Sequence, residues 1–204
     1  MTAQHPDAAP NVSRETRDRL EIYANLLRKW SPRINLVAPR TLDEIWTRHF
    51  EDSLQLLPHL PSEPGILADL GSGGGLPGLV LAAALAETGW TVRLIESDHR
   101  KAVFLRTCAR EMGLSVEVIA ERIETCPPSN ARVVTARALA PLDRLLPMVH
   151  RHLAPGGRAV LLKGRTAEAE IAAVENDWTF DLTTAPSITD PDARILVLEH
   201  LARA

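Results

Sequence analysis

The chain is short of the side chains that build metal sites and disulfide scaffolds. Among 204 residues there are two cysteines, Cys108 and Cys126, in no CxxC arrangement and without partners at metal-ligand spacing. That argues against a zinc module or a disulfide framework, and no metal is expected. Long apolar runs are missing too. The longest spans residues 79–86, far below the roughly 18–20 residues of a membrane helix. The opening MTAQHPDAAP has no basic start followed by an apolar stretch, so no signal peptide is expected and the cytoplasm is the expected location. A global excess of positive charge is also lacking: the net charge of −3 excludes a uniformly basic nucleic-acid binder.

What is present is an ordinary globular composition, 45% hydrophobic and 24% charged, with enough chain for one sizeable core. The charge is unevenly spread. Residues 132–165 carry 7 basic and 1 acidic side chains, net +6, while 166–204 carry 2 and 8, net −6. Residues 1–50 add a further net +2. Such blocks suggest a local positive field on a mildly acidic protein.

Residues 1–12 read as a loose polar leader. From Ser13, apolar residues at Leu20, Tyr23, Ala24, Leu27 and Trp30 recur at helical spacing, and Ser31-Pro32 predicts the end of that helix. Thr41-Leu-Asp-Glu44 has the capping-box pattern and predicts a second helix, with His49 and Ser53 as a structural pair on its inner face. Arg48 and Asp52 stand at ion-pair spacing on it. Three prolines at 58, 61 and 64 then mark a linker.

Beyond the linker, short strands and helices alternate. Strands are predicted over 66–70, 91–96, 116–119, 132–135 and 158–163, with closing strands from Trp178 and over 194–199. Helices are predicted from the glycine turn to about 87, and over 98–112, 141–152 and 166–176. This alternation predicts an α/β fold around a mostly parallel sheet. It divides the chain into a leader with a helical extension, 1–60, and a core, 61–204.

The segment ILADLGSGGGLPG, residues 66–78, carries the chemistry. A strand runs through Asp69 into Gly71-Ser-Gly73-Gly74-Gly75 and then a helix, so a ligand can approach the backbone at the mouth of the sheet. No Gly-Lys-Ser/Thr closes the turn, which excludes a P-loop. Gly73-x-Gly75-x-x-Gly78 matches the bare dinucleotide pattern, which alone is weak. A pyrophosphate on the helix N-terminus gains nothing from a nearby carboxylate. S-adenosylmethionine has no phosphate and carries a sulfonium and an ammonium. Asp69 is placed to favour those cations, directly or through water. Glu96, ending the next strand, suits ribose hydroxyls in either case. A later Pro155-Gly156-Gly157 turn before RAVLLKG tips the balance; it resembles the corresponding turn of Rossmann-like methyltransferases.

KWSPRINLV (29–37), RHFEDS (48–53), DLGSGGGLPG (69–78), KAVFLR (101–106), ERIE (121–124), ARALAPL (136–142) and LLKG (161–164) stand in order along residues 15–165. On these motifs the chain resembles the glucose-inhibited division protein B family, the small-subunit ribosomal RNA methyltransferase G group. The resemblance implies a Rossmann-like class I S-adenosylmethionine-dependent methyltransferase. Its sheet would be mostly parallel, with a closing antiparallel strand and an N-terminal helical extension. It implies methyl transfer to N7 of one guanine in 16S rRNA of the small ribosomal subunit. By position, Gly71, Gly73, Leu76, Ile123 and Glu124 would join Asp69 and Glu96 at the cofactor. Arg137 would sit at the cofactor and substrate mouth as a positioning residue. Independently of the resemblance, Lys163, at the end of the fifth strand, and Arg48 and Arg33 are candidates for RNA contact. A monomer is expected.

Guanine N7 has an in-plane lone pair and no proton, so its methylation needs alignment and desolvation but no general base. The chain fits in what it lacks: no Asn/Asp-Pro-Pro-aromatic motif follows the fourth strand, and Cys126-Pro127-Pro128 is not a Pro-Cys nucleophile. Two rivals stay open at this stage. One is a nicotinamide-dependent oxidoreductase, resting on the glycine pattern alone. The other is a non-catalytic RNA-binding or assembly factor on the same scaffold.

Overall fold

The computed structural model describes residues 12–204; the leader expected over 1–12 lies, but for Val12, outside them. Seven strands form one sheet in the order β3-β2-β1-β4-β5-β7-β6. They are β1 (Ile66–Leu70), β2 (Thr91–Ile95), β3 (Val116–Ile119), β4 (Ala131–Arg137), β5 (Leu153–Lys163), β6 (Trp178–Pro186) and β7 (Arg194–Arg203). Neighbours from β3 to β5 pair in parallel, and β7 runs antiparallel to both β5 and β6. Strands β1 and β4 are adjacent but their connections leave in opposite directions. Such a switch point opens a crevice at the strands' carboxyl ends, where ligands bind in open α/β sheets.

The first helix, α1 (Arg14–Ile34), is capped by Ser13, whose side chain accepts from the Thr16 N–H at 3.1 Å. It runs three residues past Ser31. Pro32 and Arg28 are both exposed, so the carbonyl that Pro32 cannot satisfy faces water. Asn35, left-handed at φ 50°, closes the end by donating its N–H to Ser31 O. The buried face of α1, Leu20, Tyr23, Ala24 and Leu27, packs into the core shared with β1 and the next two helices. Tyr23 stacks on Phe50 with ring centroids 5.3 Å apart.

The helix predicted from Thr41 is replaced by short turns: a 3-10 turn over Pro39–Thr41, a π-helical turn over Trp46–Glu51, and one α-helical turn, α2 (Asp52–Leu54). The capping box does not form. The Thr41 hydroxyl donates to Ala38 O at 2.8 Å and meets His49 Nε2 at 2.8 Å instead. Wide π turns mark sites where a side chain is re-aimed, and here they turn His49 and Asp52 inward.

The remaining helices are α3 (Gly78–Ala84), α4 (His99–Glu111), α5 (Leu142–His152) and α6 (Ala167–Ala172). Helix α4 starts where Asp98 accepts from the N–H groups of Arg100 and Lys101. The β5 strand begins earlier than predicted, taking in the Pro155-Gly156-Gly157 turn through a register shift against β4. The loop between β6 and β7 is tied to the N-terminal turns. Gln55 Oε1 accepts from the Ile188 N–H at 2.9 Å, and Thr189 donates its hydroxyl to Asp52 Oδ1 at 2.7 Å. The acidic C-terminal segment thus folds back onto the extension. No helix among the described residues is long and apolar enough to cross a membrane.

Candidate functional site

The glycine turn joins β1 to α3 and is held from three sides. The Ser72 hydroxyl donates to Asp69 O at 3.0 Å, the Gly73 N–H donates to Glu96 Oε2 at 2.8 Å, and the Tyr23 hydroxyl donates to Gly74 O. Gly71 sits at φ 65°, where an added Cβ would stand 2.5 Å from Leu139 Cδ1. Glu96 spends its other oxygen on the Asp98 N–H, at 2.7 Å. Its remaining lone pairs are open to hydroxyl donors.

Asp69 lies elsewhere than expected. Its carboxylate is fully buried beneath the turn, accepting from the Thr135 hydroxyl at 2.8 Å and the Gly78 N–H at 3.3 Å. Burial pushes its pKa up to about 6. Asp69 therefore braces the turn from behind and does not line the cavity in front of it. Gly78 is required by the same contact, since a Cβ there would stand 2.6 Å from Asp69 Oδ2. A Gly78→Ala chain is expected to lose about 1–3 kcal/mol from overpacking. A urea melt checks this; an unchanged midpoint would contradict it.

In front of the turn lies a cavity of about 850 Å³ whose walls include Gly71, Gly73, Leu76, Glu96, Ile123, Glu124 and Arg137. Seven of the eight residues expected at a cofactor are thus together, and Asp69 is the exception. The segment bearing Ile123 is anchored by buried His152, whose Nε2 donates to Ile123 O at 2.8 Å while Nδ1 accepts from the Ser129 N–H at 3.2 Å. His152 was not apparent as a site residue, since nothing local in the sequence pairs it with a loop 23 positions away.

A second cavity, of about 620 Å³, opens on the other side of the segment 137–140, which borders both. Thr41, Arg48, His49, Asp52, Lys163 and Thr189 line it. Arg137 stands in the shared wall. Its Nη1 donates to Asp52 Oδ2 at 2.9 Å and to Arg48 O at 3.4 Å, and its Nη2 donates to His49 Nδ1 at 3.2 Å. Asp52 therefore pairs with Arg137, 85 positions away, and not with Arg48 as spacing suggested. The π turn explains the difference, because it rotates Asp52 off the face of Arg48. Ser53 keeps the structural role expected, donating its hydroxyl to His49 O at 2.7 Å.

The other RNA-contact candidates differ in availability. Arg48 and Arg33 are exposed. Lys163 is committed: its ammonium lies 2.5 Å from Glu170 Oε2 and donates to Ala140 O at 2.9 Å. That bonding turns Lys163 into a strut of the shared wall.

His49 is neutral near pH 7, since burial first and the Arg137 charge second bring its pKa down to about 4. The Thr41 hydroxyl spends its proton on Ala38 O, so it accepts from His49 Nε2–H and leaves Nδ1 to accept from Arg137. A depressed histidine pKa stabilises the fold above the unfolded value near 6.5, and that contribution is lost as pH falls through about 4. The cost of His49→Gln is thus expected to be about 1–2 kcal/mol smaller at pH 4.5 than at pH 7, by urea melts at both. A pH-independent cost would contradict it. Among the described residues no group of three metal-ligating side chains occurs.

Comparison with known proteins follows the same lines. The profile described as rRNA small subunit methyltransferase G matches residues 16–196. A protein of Paramagnetospirillum magneticum named ribosomal RNA small subunit methyltransferase G is 51% identical over 192 residues, covering 94% of this chain and 92% of its own. One of the same name from Rhodospirillum centenum is 51% identical over 195 residues, covering 96% and 89%. Among solved structures, a SAM dependent methyltransferase from Aquifex aeolicus superposes with a TM-score of 0.58 at 13% identity, covering 86% of this chain and 97% of its own. That likeness shows a shared Rossmann-like methyltransferase fold. With the profile spanning nearly the whole chain, the protein belongs to the rRNA small subunit methyltransferase G family.

Proposed function

We propose that this chain transfers a methyl group from S-adenosylmethionine to N7 of a guanine in 16S rRNA of the small ribosomal subunit, as a monomer in the cytoplasm. The first cavity suits that cofactor. Gly71 and Gly73 open the backbone to it, Glu96 offers acceptors for ribose hydroxyls, and the volume lies within the range of small-molecule sites. When bound, it supplies an electrophilic methyl on a sulfonium, which leaves as a neutral thioether. A dinucleotide suits the turn less well. The first N–H of α3, at Gly78, is already spent on the buried Asp69 carboxylate, where a pyrophosphate would need it.

One observation carries the N7 reading: three acid–base side chains of the second cavity's wall, His49, Asp52 and Glu170, are engaged. The His49 Nδ1 lone pair takes Arg137, and Asp52 takes Arg137, Thr189 and Gln55. Glu170 takes Lys163, Thr166 and the Leu142 N–H. A site so arranged offers position and desolvation, which is what a nucleophile without a proton requires. Exposed Arg48, Arg122 and Arg144 at the cavity mouths suit a phosphate backbone.

Incubating the protein with methyl-labelled S-adenosylmethionine and small ribosomal subunits tests this, with free 16S rRNA and protein extracts in parallel. Label in 16S rRNA is expected. Label confined to protein or small molecules would overturn it.

A further inference from the structure

The connection between β3 and β4, residues 120–130, contains neither helix nor strand. Within it the Thr125 and Cys126 N–H groups both donate to Arg122 O. This loop nonetheless carries Arg122, Ile123 and Glu124 into the wall of the first cavity. A wall built on such a segment is only as firm as what holds it from outside.

That hold comes from α5. Asp143, Arg144, Pro147 and Met148 line the same cavity, and Arg151 and His152 follow at the same four-residue step. One helix thus supplies part of the cavity wall with its first turns and grips the loop with its last. Arg151 Nη2 donates to Cys126 O at 2.9 Å. His152, fully buried, bridges the two ends of the loop. Its Nε2–H donates to Ile123 O at 2.8 Å, and its Nδ1 accepts from the Ser129 N–H at 3.2 Å. A carbonyl and an amide demand opposite roles, so these bonds hold the ring as the neutral Nε2–H tautomer. Ser129 is held a second time by Arg93 of β2, whose Nη1 donates to its carbonyl at 2.8 Å.

The order of the sheet says which part of the cofactor this wall meets. Outward from the switch point the strands run β1, β2, β3. The glycine turn follows β1, Glu96 follows β2, and the loop follows β3. With the ribose hydroxyls on Glu96, the sulfonium end lies toward β1 and β4 and the base lies toward β3. Ile95, Ile123, Pro147 and Met148 give the cavity apolar surface suited to a purine face.

We propose that His152 is a positioning residue for the cofactor: by holding Ile123 O and the Ser129 N–H, it sets the loop after β3 as the wall for the adenine end of S-adenosylmethionine. The inference rests on the S-adenosylmethionine-dependent methyltransferase reading. A loop already ordered loses little further freedom on binding. Losing the clip therefore lowers cofactor affinity and leaves the chemical step alone.

The test is calorimetry of the full chain with S-adenosylmethionine and with methylthioadenosine, which keeps the adenosine and lacks the amino acid. Methyl transfer to small subunits is followed on the same samples, and amide exchange over residues 120–130 is read without cofactor. His152→Leu removes both bonds and is expected to weaken the two ligands by the same factor, about tenfold. The cofactor KM should rise alike while kcat stays within about twofold, and exchange across the loop should quicken. His152→Gln carries a donor and an acceptor on one amide and is expected within about threefold of the parent chain. Arg151 is exposed, so Arg151→Ala opens no buried cavity and should weaken both ligands about threefold. It carries the test if His152→Leu fails to fold. Lower melting points with both affinities within about twofold of the parent would reduce the clip to packing and overturn the proposal. A loss confined to S-adenosylmethionine would put the loop at the amino-acid end and overturn it too. Both results spare the methyltransferase reading, whereas a parent chain that binds neither ligand would defeat that reading and the proposal together.

Discussion

Replacing Arg137 by alanine is expected to lower kcat/KM for small-subunit methylation by at least about a hundredfold. Three losses combine. A charge-assisted contact at the expected cofactor and substrate mouth would go, worth about 1.5–3 kcal/mol. Asp52, 15% exposed, loses its cation, and leaving a shielded charge unpaired costs further free energy. The wall between the cavities also loses the side chain that spans it, and misplacement of about 1 Å in a reaction governed by alignment can cost a hundredfold. Arg137→Lys restores the charge without the fork, because an ammonium is a point donor. It should recover only part of the loss. Single-turnover methylation with labelled cofactor reads both variants, and a thermal melt confirms that they fold. Activity of Arg137→Ala within threefold of the parent chain would contradict this role.

Glu96→Ala is expected to weaken S-adenosylmethionine binding by roughly a hundredfold. The carboxylate does two things at once. It would accept from the ribose hydroxyls, where bonds to a charged acceptor contribute about 1.5–3 kcal/mol each. It also holds the turn, accepting from the N–H groups of Gly73 and Asp98. Losing it frees the Gly73 N–H, on a residue whose backbone is left-handed at φ 54°. Glu96→Gln keeps one acceptor but aims an amide donor at a backbone N–H, so it should fall between the two. Calorimetry with S-adenosylmethionine gives the affinities directly. A dissociation constant within threefold of the parent value would remove Glu96 from the cofactor site.

The contrast between Glu96 and Asp69 shows what was legible in the sequence. Both carboxylates end or nearly end a parallel strand beside the glycine turn. Strand alternation decides between them: Asp69 faces Thr135 and the Gly78 N–H beneath the turn, whereas Glu96 emerges at the strand's end. Strand positions and glycine turns are local signals, so β1 to β5 and the turn are legible in the sequence, whereas Leu76, Ile123, Glu124 and Arg137 came only with the family resemblance. The N-terminal turns are not legible. Thr41 and Glu44 form a capping box on paper, but Thr41 is drawn to Ala38 and His49. Arg48 and Asp52 have ion-pair spacing, but Asp52 is drawn to Arg137 and Thr189. The partners of Asp52 come from β4 and from the loop after β6, and long-range bonds between shielded groups outweigh an exposed pair worth a few tenths of a kcal/mol. The pairing of Lys163 with Glu170, which reaches it from α6, is likewise invisible in the sequence.

The bond that forms is the centre of the account, and nucleoside analysis reads it. Small subunits methylated by the protein, digested to nucleosides and resolved by mass spectrometry, are expected to yield labelled N7-methylguanosine, at one position located by strand scission. Label on an exocyclic amine would require a base to remove a proton. It would contradict a site whose His49, Asp52 and Glu170 are all engaged.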